Sequence, residues 1–292
     1  MRILRFADPS AFAARAIPFL LEREAEHCLP IGIIGALHRG ETYGPDTPYM
    51  ALVEDEAGDV VEVCVMTPPH NLVVSHVAPQ AEAQTEAIMR AVAEASLRSY
   101  PDLPGVVGPA WVAREFTVQW QALTGQSARP QLRERVYRLK QVRPPRPAPG
   151  QMRRVTEADR PLLRVWLHAF SAEALGDQED LSADPEIDRR LRSAASGMYV
   201  WQDGAITVSL AGYGNPTPHG IRIGPVYTPP EARGHGYASA LVAALSQRLL
   251  DEGRQFVFLF TDLANPTSNH IYQTVGYEPV GDATMYQFTP DV

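Results

Sequence analysis

Apolar positions along this chain switch between helical and strand-like spacing, segment by segment, in a similar order in each half. The clearest helix lies at 234–252, where Leu241, Val242, Leu245 and Leu249 form an apolar stripe and Gly253 ends the run. Phe256-Val257-Phe258-Leu259-Phe260 follows, too short for a helix and read as a buried central strand. Ahead of that helix the pattern predicts a strand at 153–155, a helix opening at Thr156 and a helical segment at 185–195. Strands at 198–202, 205–213 across the Asp203-Gly204 turn, and 221–228 come next. A short helix at 266–275 and a final pair of strands ending at Phe288 complete this half.

The first half predicts a strand at 3–6, helices at 12–24 and 31–38, and strands at 50–54 and 60–66 across Ala57-Gly58-Asp59. A strand at 72–77, a helix at 80–98, a strand at 106–107, a helix at 113–123 and a strand at 135–139 follow. Between the halves, Arg143-Pro144-Pro145-Arg146-Pro147-Ala148-Pro149-Gly150 reads as a linker, because proline cannot donate to a helix or a central strand. The expected organisation is a domain at 1–142, a linker at 143–150 and a domain at 151–292. Each is α/β, with a mixed, mostly antiparallel twisted sheet flanked by helices. Local echoes favour a diverged tandem repeat: Trp120-Gln121-Ala122-Leu123-Thr124-Gly125 stands where the second half has Tyr272-Gln273-Thr274-Val275-Gly276.

Composition narrows the partners. A chain of 292 residues with 45% hydrophobic and 21% charged residues is that of a globular protein, and no apolar run approaches the roughly 18 residues of a membrane span. No signal-peptide core follows Met1 to Phe6, so the expected location is the cytoplasm. The formal charge of -8 argues against a nucleic-acid partner and favours small molecules or cations. Cys28 and Cys64 have no second pair or histidine cluster beside them, so core positions are expected, with no disulfide framework and no metal site.

The candidate chemistry gathers where strand 221–228 meets the long helix. Arg233-Gly234-His235-Gly236-Tyr237-Ala238 puts two glycines behind an arginine at a helix start, where unpaired N–H groups and the positive end of the macrodipole favour a phosphate. A dinucleotide loop is the rival reading, since Gly234, Gly236 and Ser239 approximate G-x-G-x-x-G/A. It loses on context: Pro229 to Arg233 separate the strand from the first glycine, and the motif opens late in its domain. At the matching place the first half has no glycine and carries Glu82 and Glu86, which would repel an anion, so that half is expected to have kept a fold and lost a cofactor.

These residues fit R-x-x-G-x-A, and about 30 residues on, Asn265-Pro266-Thr267-Ser268-Asn269-His270-Ile271-Tyr272 precedes Gly276-Tyr277. In both patterns the chain resembles the GCN5-related N-acetyltransferases (GNAT), specifically over 220–288 and by topology alone over the first half. The resemblance implies two GNAT-like domains in tandem, the first degenerate, and acetyl-CoA as acyl donor with no metal. It implies that pantetheine runs beside Val226, Tyr227 and Thr228. The pyrophosphate would rest on Arg233, Gly234, His235, Gly236, Tyr237 and Ala238, with Ser239 adjacent and Asn265, Ser268, Asn269 and Tyr272 also on the cofactor side.

Direct attack of an amine on the thioester needs a donor for the oxyanion, which a backbone N–H of Val226 or Tyr227 supplies. It also needs a proton for the departing thiolate, and Tyr272 is the expected general acid. Asp262 is the candidate base, with capping of the following helix as its alternative role, and Glu231 is a second choice. Asp177, Glu179, Asp180, Asp184, Glu186 and Asp188 crowd the segment that the resemblance makes one wall of the acceptor site; they read either as a solvated polar loop, the favoured reading, or as a wall that draws in a cationic amine. The expected function is N-acetylation of a small-molecule primary amine. The alternatives are a non-catalytic acyl-CoA sensor or interaction module and a peptide or protein N-acetyltransferase; acceptor identity and oligomeric state stay open.

Overall fold

The computed structural model describes residues 1–41, 46–175, 181–182 and 184–289, which fall into two compact units, Met1–Arg135 with Gly281–Val292 and Val136–Val280. The first unit runs β1 (Arg2–Arg5), α1 (Pro9–Leu21), α2 (Cys28–His38), β2 (Tyr49–Glu54), β3 (Val60–Met66), β4 (Leu72–Val74), α3 (Thr85–Ser99), β5 (Gly105–Pro109), α4 (Ala110–Thr124) and β6 (Ser127–Leu139). The second runs β7 (Gln151–Arg154), α5 (Arg160–Phe170), α6 (Asp184–Arg192), β8 (Gly197–Asp203), β9 (Ile206–Gly214), β10 (Gly220–Tyr227), α7 (Tyr237–Asp251), β11 (Phe256–Asp262), α8 (Pro266–Val275) and β12 (Glu278–Thr289).

Strand pairing makes the repeat explicit. In the first unit the order is β1-β2-β3-β4-β5-β12, antiparallel except for the parallel pair β4 and β5, registered Leu72↔Val106 and Val73↔Val107. In the second it is β7-β8-β9-β10-β11-β6, with β10 and β11 as the parallel pair in the same place. The sixth strand of each is supplied by a segment that changes unit along the chain, at Val136 within β6 and at Gly281 within β12.

Each sheet is buried on both faces. In the first unit α1 and α2 cover one face with Phe12, Leu20, Ile34 and Leu37, while α3 and α4 cover the other with Ile88, Val92, Phe116 and Trp120. In the second, α5 and α6 bring Leu163, Trp166, Leu167 and Ile187 to one face, and Leu241, Val242, Leu245 and Leu249 of α7 cover the other. Local chemistry sets the ends of the helices. Asp8 accepts from the N–H groups of Ser10 and Ala11 to open α1, and left-handed glycines, Gly125 and Gly276, close α4 and α8.

Five expectations change. The long helix begins at Tyr237, because Gly234 and Gly236 have φ of 81° and 82°, outside the right-handed helical region. The expected final pair of strands is the single strand β12, and β6 starts eight residues earlier than the pattern 135–139 suggested, through a polar stretch with few buried positions. A 3-10 turn at Pro79–Gln84 precedes α3 where one helix was expected. The proline-rich segment lies within the second unit, where the Pro149 carbonyl accepts from the Trp201 indole at 2.7 Å and the Arg143 N–H donates to the Val275 carbonyl at 2.8 Å.

In the core of the first unit Glu62 is fully buried between the Cys64 thiol at 2.7 Å and the N–H of Ser75 at 2.9 Å. Desolvation pushes the Glu62 carboxyl up to about 7, against those hydrogen bonds. A carboxyl raised in the folded state lends stability that is complete below its unfolded value near 4.3 and is lost as pH rises through about 7, roughly 3 kcal/mol in all. Urea unfolding should therefore show the wild type losing stability between pH 5 and pH 8, and Glu62→Gln losing about 2 kcal/mol less over that interval. An identical pH slope in the two proteins would contradict this account of Glu62.

Candidate functional site

The second sheet opens between β10 and β11. Parallel pairing runs Gly220↔Phe256, Ile221↔Val257 and Arg222↔Phe258 and stops there, although β10 continues to Tyr227 and β11 to Asp262. Against β9 the register shifts by one residue between Ile223 and Val226, which makes a bulge of Gly224 and Pro225. The sequence forces this: Gly224 sits at φ 150°, a region that favours glycine, and Pro225 has no N–H for the ladder. The bulge also exchanges faces, so that Ile221 and Ile223 pack towards α7 before it, while after it Val226 does so and Tyr227 packs towards α5, its ring 6.0 Å from that of Trp166.

A buried guanidinium holds the bulge. Arg190 of α6, 6% exposed, donates from Nη1 to the Gly224 carbonyl at 3.1 Å and from Nε to Glu186 at 2.6 Å. Gly212 of β9 makes the room, since a Cβ there would stand 2.8 Å from Arg190 Nη1 and 2.9 Å from the Gly224 oxygen. Beyond the bulge Ser209 ties down the strand end, donating to the Tyr227 carbonyl at 3.2 Å and meeting Thr228 Oγ1 at 2.9 Å. Val226, Tyr227 and Thr228 thus lie beyond the last paired residues of β10 and β11.

A 3-10 turn at Pro230–Ala232 leads into Arg233, Gly234, His235 and Gly236, and α7 starts at Tyr237. No side chain caps this helix and no carboxylate lies in its first turn, so its leading N–H groups face outward. Space lies over them: a Cβ on Gly234 would meet nothing within 4 Å, and one on Gly236 only Ala148 Cβ at 3.9 Å. These features fit a phosphate group, which Gly234 to Ser239 would hold. Arg233 braces the turn, its Nε donating to the Thr228 carbonyl at 2.8 Å and its Nη2 meeting Glu173 at 2.8 Å. His235 is exposed. Tyr237 is buried and donates its hydroxyl to Asp203 at 2.8 Å, so only its backbone faces the turn. Ala238 and Ser239 are half-buried.

The α8 residues divide. Asn265 caps the helix by accepting from the Ser268 N–H at 3.0 Å. Asn269 spends its amide inside the unit, accepting from the Tyr137 hydroxyl at 3.0 Å and donating to the carbonyls of Asp262 at 3.0 Å and Asn265 at 2.7 Å. The side chains of Asn265 and Asn269 therefore shape the start of α8. Tyr272 is buried against Tyr137 and Tyr277, and its hydroxyl has no hydrogen-bond partner among the described residues. Burial alone pushes this phenol up to about 12, so it keeps its proton at any physiological pH. Asp262 is exposed and accepts from the Ala264 N–H at 2.8 Å, which fixes the turn ahead of α8, while Asn265 caps the helix. Glu231 is exposed on the 3-10 turn.

The acidic wall is electrically balanced wherever it is described. Asp184 pairs with Arg164 at 2.7 Å, Asp188 with Arg160 at 2.5 Å, and Glu186 with both Arg189 and Arg190 at 2.6 Å. Asp177, Glu179 and Asp180 lie outside the described residues. Among the described residues no cluster of three metal-ligating side chains occurs, and no helix is long and apolar enough to cross a membrane. Sequence reasoning missed Arg190, Glu173 and Asp203; the i,i+3 and i,i+4 spacing of Glu186 to Arg189 and Arg190 was the available sign that these charges pair.

The second unit is thus a mixed α/β sheet that forks beside an uncapped, glycine-led helix. Residues 162–277 match the Acetyltransferase (GNAT) family model. Similar solved structures include a GNAT-family acetyltransferase from Colwellia psychrerythraea (12% identity, 100% of each chain covered, TM-score 0.56). A GCN5-related N-acetyltransferase from Sphaerobacter thermophilus is also similar (17% identity, 99% of this chain and 95% of that one, TM-score 0.59). So is a tandem GNAT protein from the clavulanic acid biosynthesis pathway (14% identity, 99% and 98%, TM-score 0.60). At such identities the likeness establishes the fold, which is the expected pair of GNAT-like domains. No curated protein matches the sequence.

The two kinds of glycine should respond differently to substitution. Gly236→Ala meets open space and costs only the left-handed conformation, about 1 kcal/mol, or a few degrees in Tm. Gly212→Ala drives a methyl into the Arg190 contact and should lower Tm by clearly more. Equal Tm losses in differential scanning fluorimetry would show that the bulge does not depend on that contact.

Proposed function

We propose that the second unit is an acyl-CoA-dependent N-acyltransferase that moves acetyl from acetyl-CoA to a primary amine of a small molecule. The observation that carries this reading is the joint presence of the fork, the open glycine turn and a buried tyrosine with an unengaged hydroxyl. Acetyl-CoA would supply the activated acyl group. The chain's own contributions are electrostatic and positional. N–H groups of the turn and of the first turn of α7 favour the phosphates, and the limb of β10 beyond the bulge presents backbone donors fixed by Arg190 and Ser209. Tyr272, held neutral, donates a hydrogen bond to a leaving sulfur and stabilises negative charge there. Asp262, the candidate base, is engaged in its own turn by the Ala264 N–H, and that favours a binding-only acyl-CoA module as the second reading.

The first unit is proposed to be the degenerate partner. Counting back four and three residues from the proline that opens the 3-10 turn, Ser75 and His76 correspond to Val226 and Tyr227. Their N–H groups are already taken: that of Ser75 by Glu62 at 2.9 Å, and that of His76 by His27 Nε2 at 3.0 Å. Desolvation lowers His27 to about 4, so it stays a neutral acceptor there. Where the second unit has Tyr272, the first has Trp120, whose indole is spent on Gln126 at 2.8 Å.

Two measurements test the reading. Calorimetric titration with acetyl-CoA should show one site per chain, and thiol release over amino acids, polyamines, aminoglycosides and short peptides should reveal turnover. Binding without release across the panel would favour the binding-only module, and absence of both would overturn the proposal. Tyr272→Phe loses no hydrogen bond within the protein, so it should leave the fold and acetyl-CoA affinity intact while lowering kcat by about 10- to 100-fold. An unchanged kcat would remove Tyr272 from the chemistry.

A further inference from the structure

Arg222 occupies the last paired position of β10, where the fork begins. Strand alternation puts its side chain on the face opposite Ile221 and Ile223, the face covered by α5 and α6. Phe258 and Phe260 of β11 share that face, because Val257 and Leu259 pack towards α7. Arg222 is half-buried, with its guanidinium carbon 6.0 Å from the centre of the Phe260 ring, and among the described residues it has neither ion pair nor hydrogen bond. Other arginines of this region are matched: Arg160, Arg164, Arg189, Arg190 and Arg233 each meet a carboxylate.

Glu186 pairs with both Arg189 and Arg190. Burial most of all, with the nearby charges of Arg189 and Arg222 acting against the pull of Glu186, lowers the Arg190 guanidinium. A partly desolvated cation without a counter-charge is costly, and the attraction it exerts on an anion is stronger than in bulk water. The planar guanidinium fork suits the paired oxygens of a carboxylate or phosphate.

We propose that Arg222 anchors an oxyanion group carried by the acceptor, so that the substrate class is an amine bearing a carboxylate or phosphate. This rests on the acyltransferase reading of the same site. It also replaces the cationic acceptor that the acidic wall suggested, since that wall is neutralised wherever it is described. The anion would sit on Arg222 at the base of the fork over Phe260, and the amine would point along the open limb towards the backbone donors beyond the bulge.

The test compares matched acceptors that differ in the anion alone: glycine with glycinamide, β-alanine with its amide, and O-phosphoethanolamine with ethanolamine. In thiol release the anionic member of at least one pair should have the higher kcat/KM by about tenfold, the equivalent of one charge-assisted hydrogen bond. Arg222→Met should abolish that preference through KM, and Arg222→Lys should retain part of it. Which pair responds decides between carboxylate and phosphate. Acetyl-CoA affinity, measured by calorimetry, should be retained in both variants and reports that they are folded. Equal kcat/KM within every pair, or a preference that survives Arg222→Met, would overturn the proposal while leaving the acyltransferase reading standing. Should acetyl-CoA not bind at all, that reading fails instead, and Arg222 is decided by titrating N-acetylglycine and O-phosphoethanolamine into wild type and Arg222→Met. Weaker binding by the variant supports the anchor; equal binding, or none by the wild type, overturns it.

Discussion

Everything proposed for the second unit depends on β10 leaving β11 after Arg222. The cause is two adjacent residues, one at a backbone angle that favours glycine and one without an N–H, so the ladder cannot continue and the strand must bulge. A bulge left alone would be free to relax, and the buried Arg190 guanidinium on the Gly224 carbonyl fixes it in one arrangement. Gly212 is the third part of this device because only a residue without a side chain admits the guanidinium there. The strand beyond the bulge is tied at its far end by Ser209 and by Arg233, whose other partner is Glu173. One constraint thus reaches from the fork to the glycine turn.

The two units share a strand order and the position of their parallel pair, yet they use the place after that pair in opposite ways. In the first, side chains of Glu62 and His27 satisfy the N–H groups of Ser75 and His76, and a neutral, desolvated His27 is suited to be a permanent acceptor. In the second, the corresponding limb is held from its carbonyl side, by Ser209 on Tyr227 and Arg233 on Thr228. One fold therefore gives a sealed edge when polar side chains turn inward and an open one when a bulge and glycines replace them.

Much of this was legible in the sequence, for physical reasons. The α7 stripe, the β11 apolar run and the helix-closing glycines each follow from local periodicity or a single backbone requirement, so the fold class and most elements could be read directly. The glycine turn and Tyr272 were legible because their spacing is local. Features that depend on residues distant in the chain were not: Arg190 lies 34 residues from Gly224, and Trp201 reaches back to Pro149, which draws the supposed linker into a domain. Part of the charge pairing was hidden for the same reason, since the α5 arginines that pair with Asp184 and Asp188 lie 20 or more residues away.

The central claim is that an acyl-CoA is held by backbone N–H groups at the fork and the glycine turn of the second unit alone. Amide hydrogen exchange with and without acetyl-CoA reads those groups directly. The account predicts slower exchange at 226–228 and 234–239 and no change at 75–87. Unchanged exchange across 226–239, or protection confined to 75–87, would contradict it.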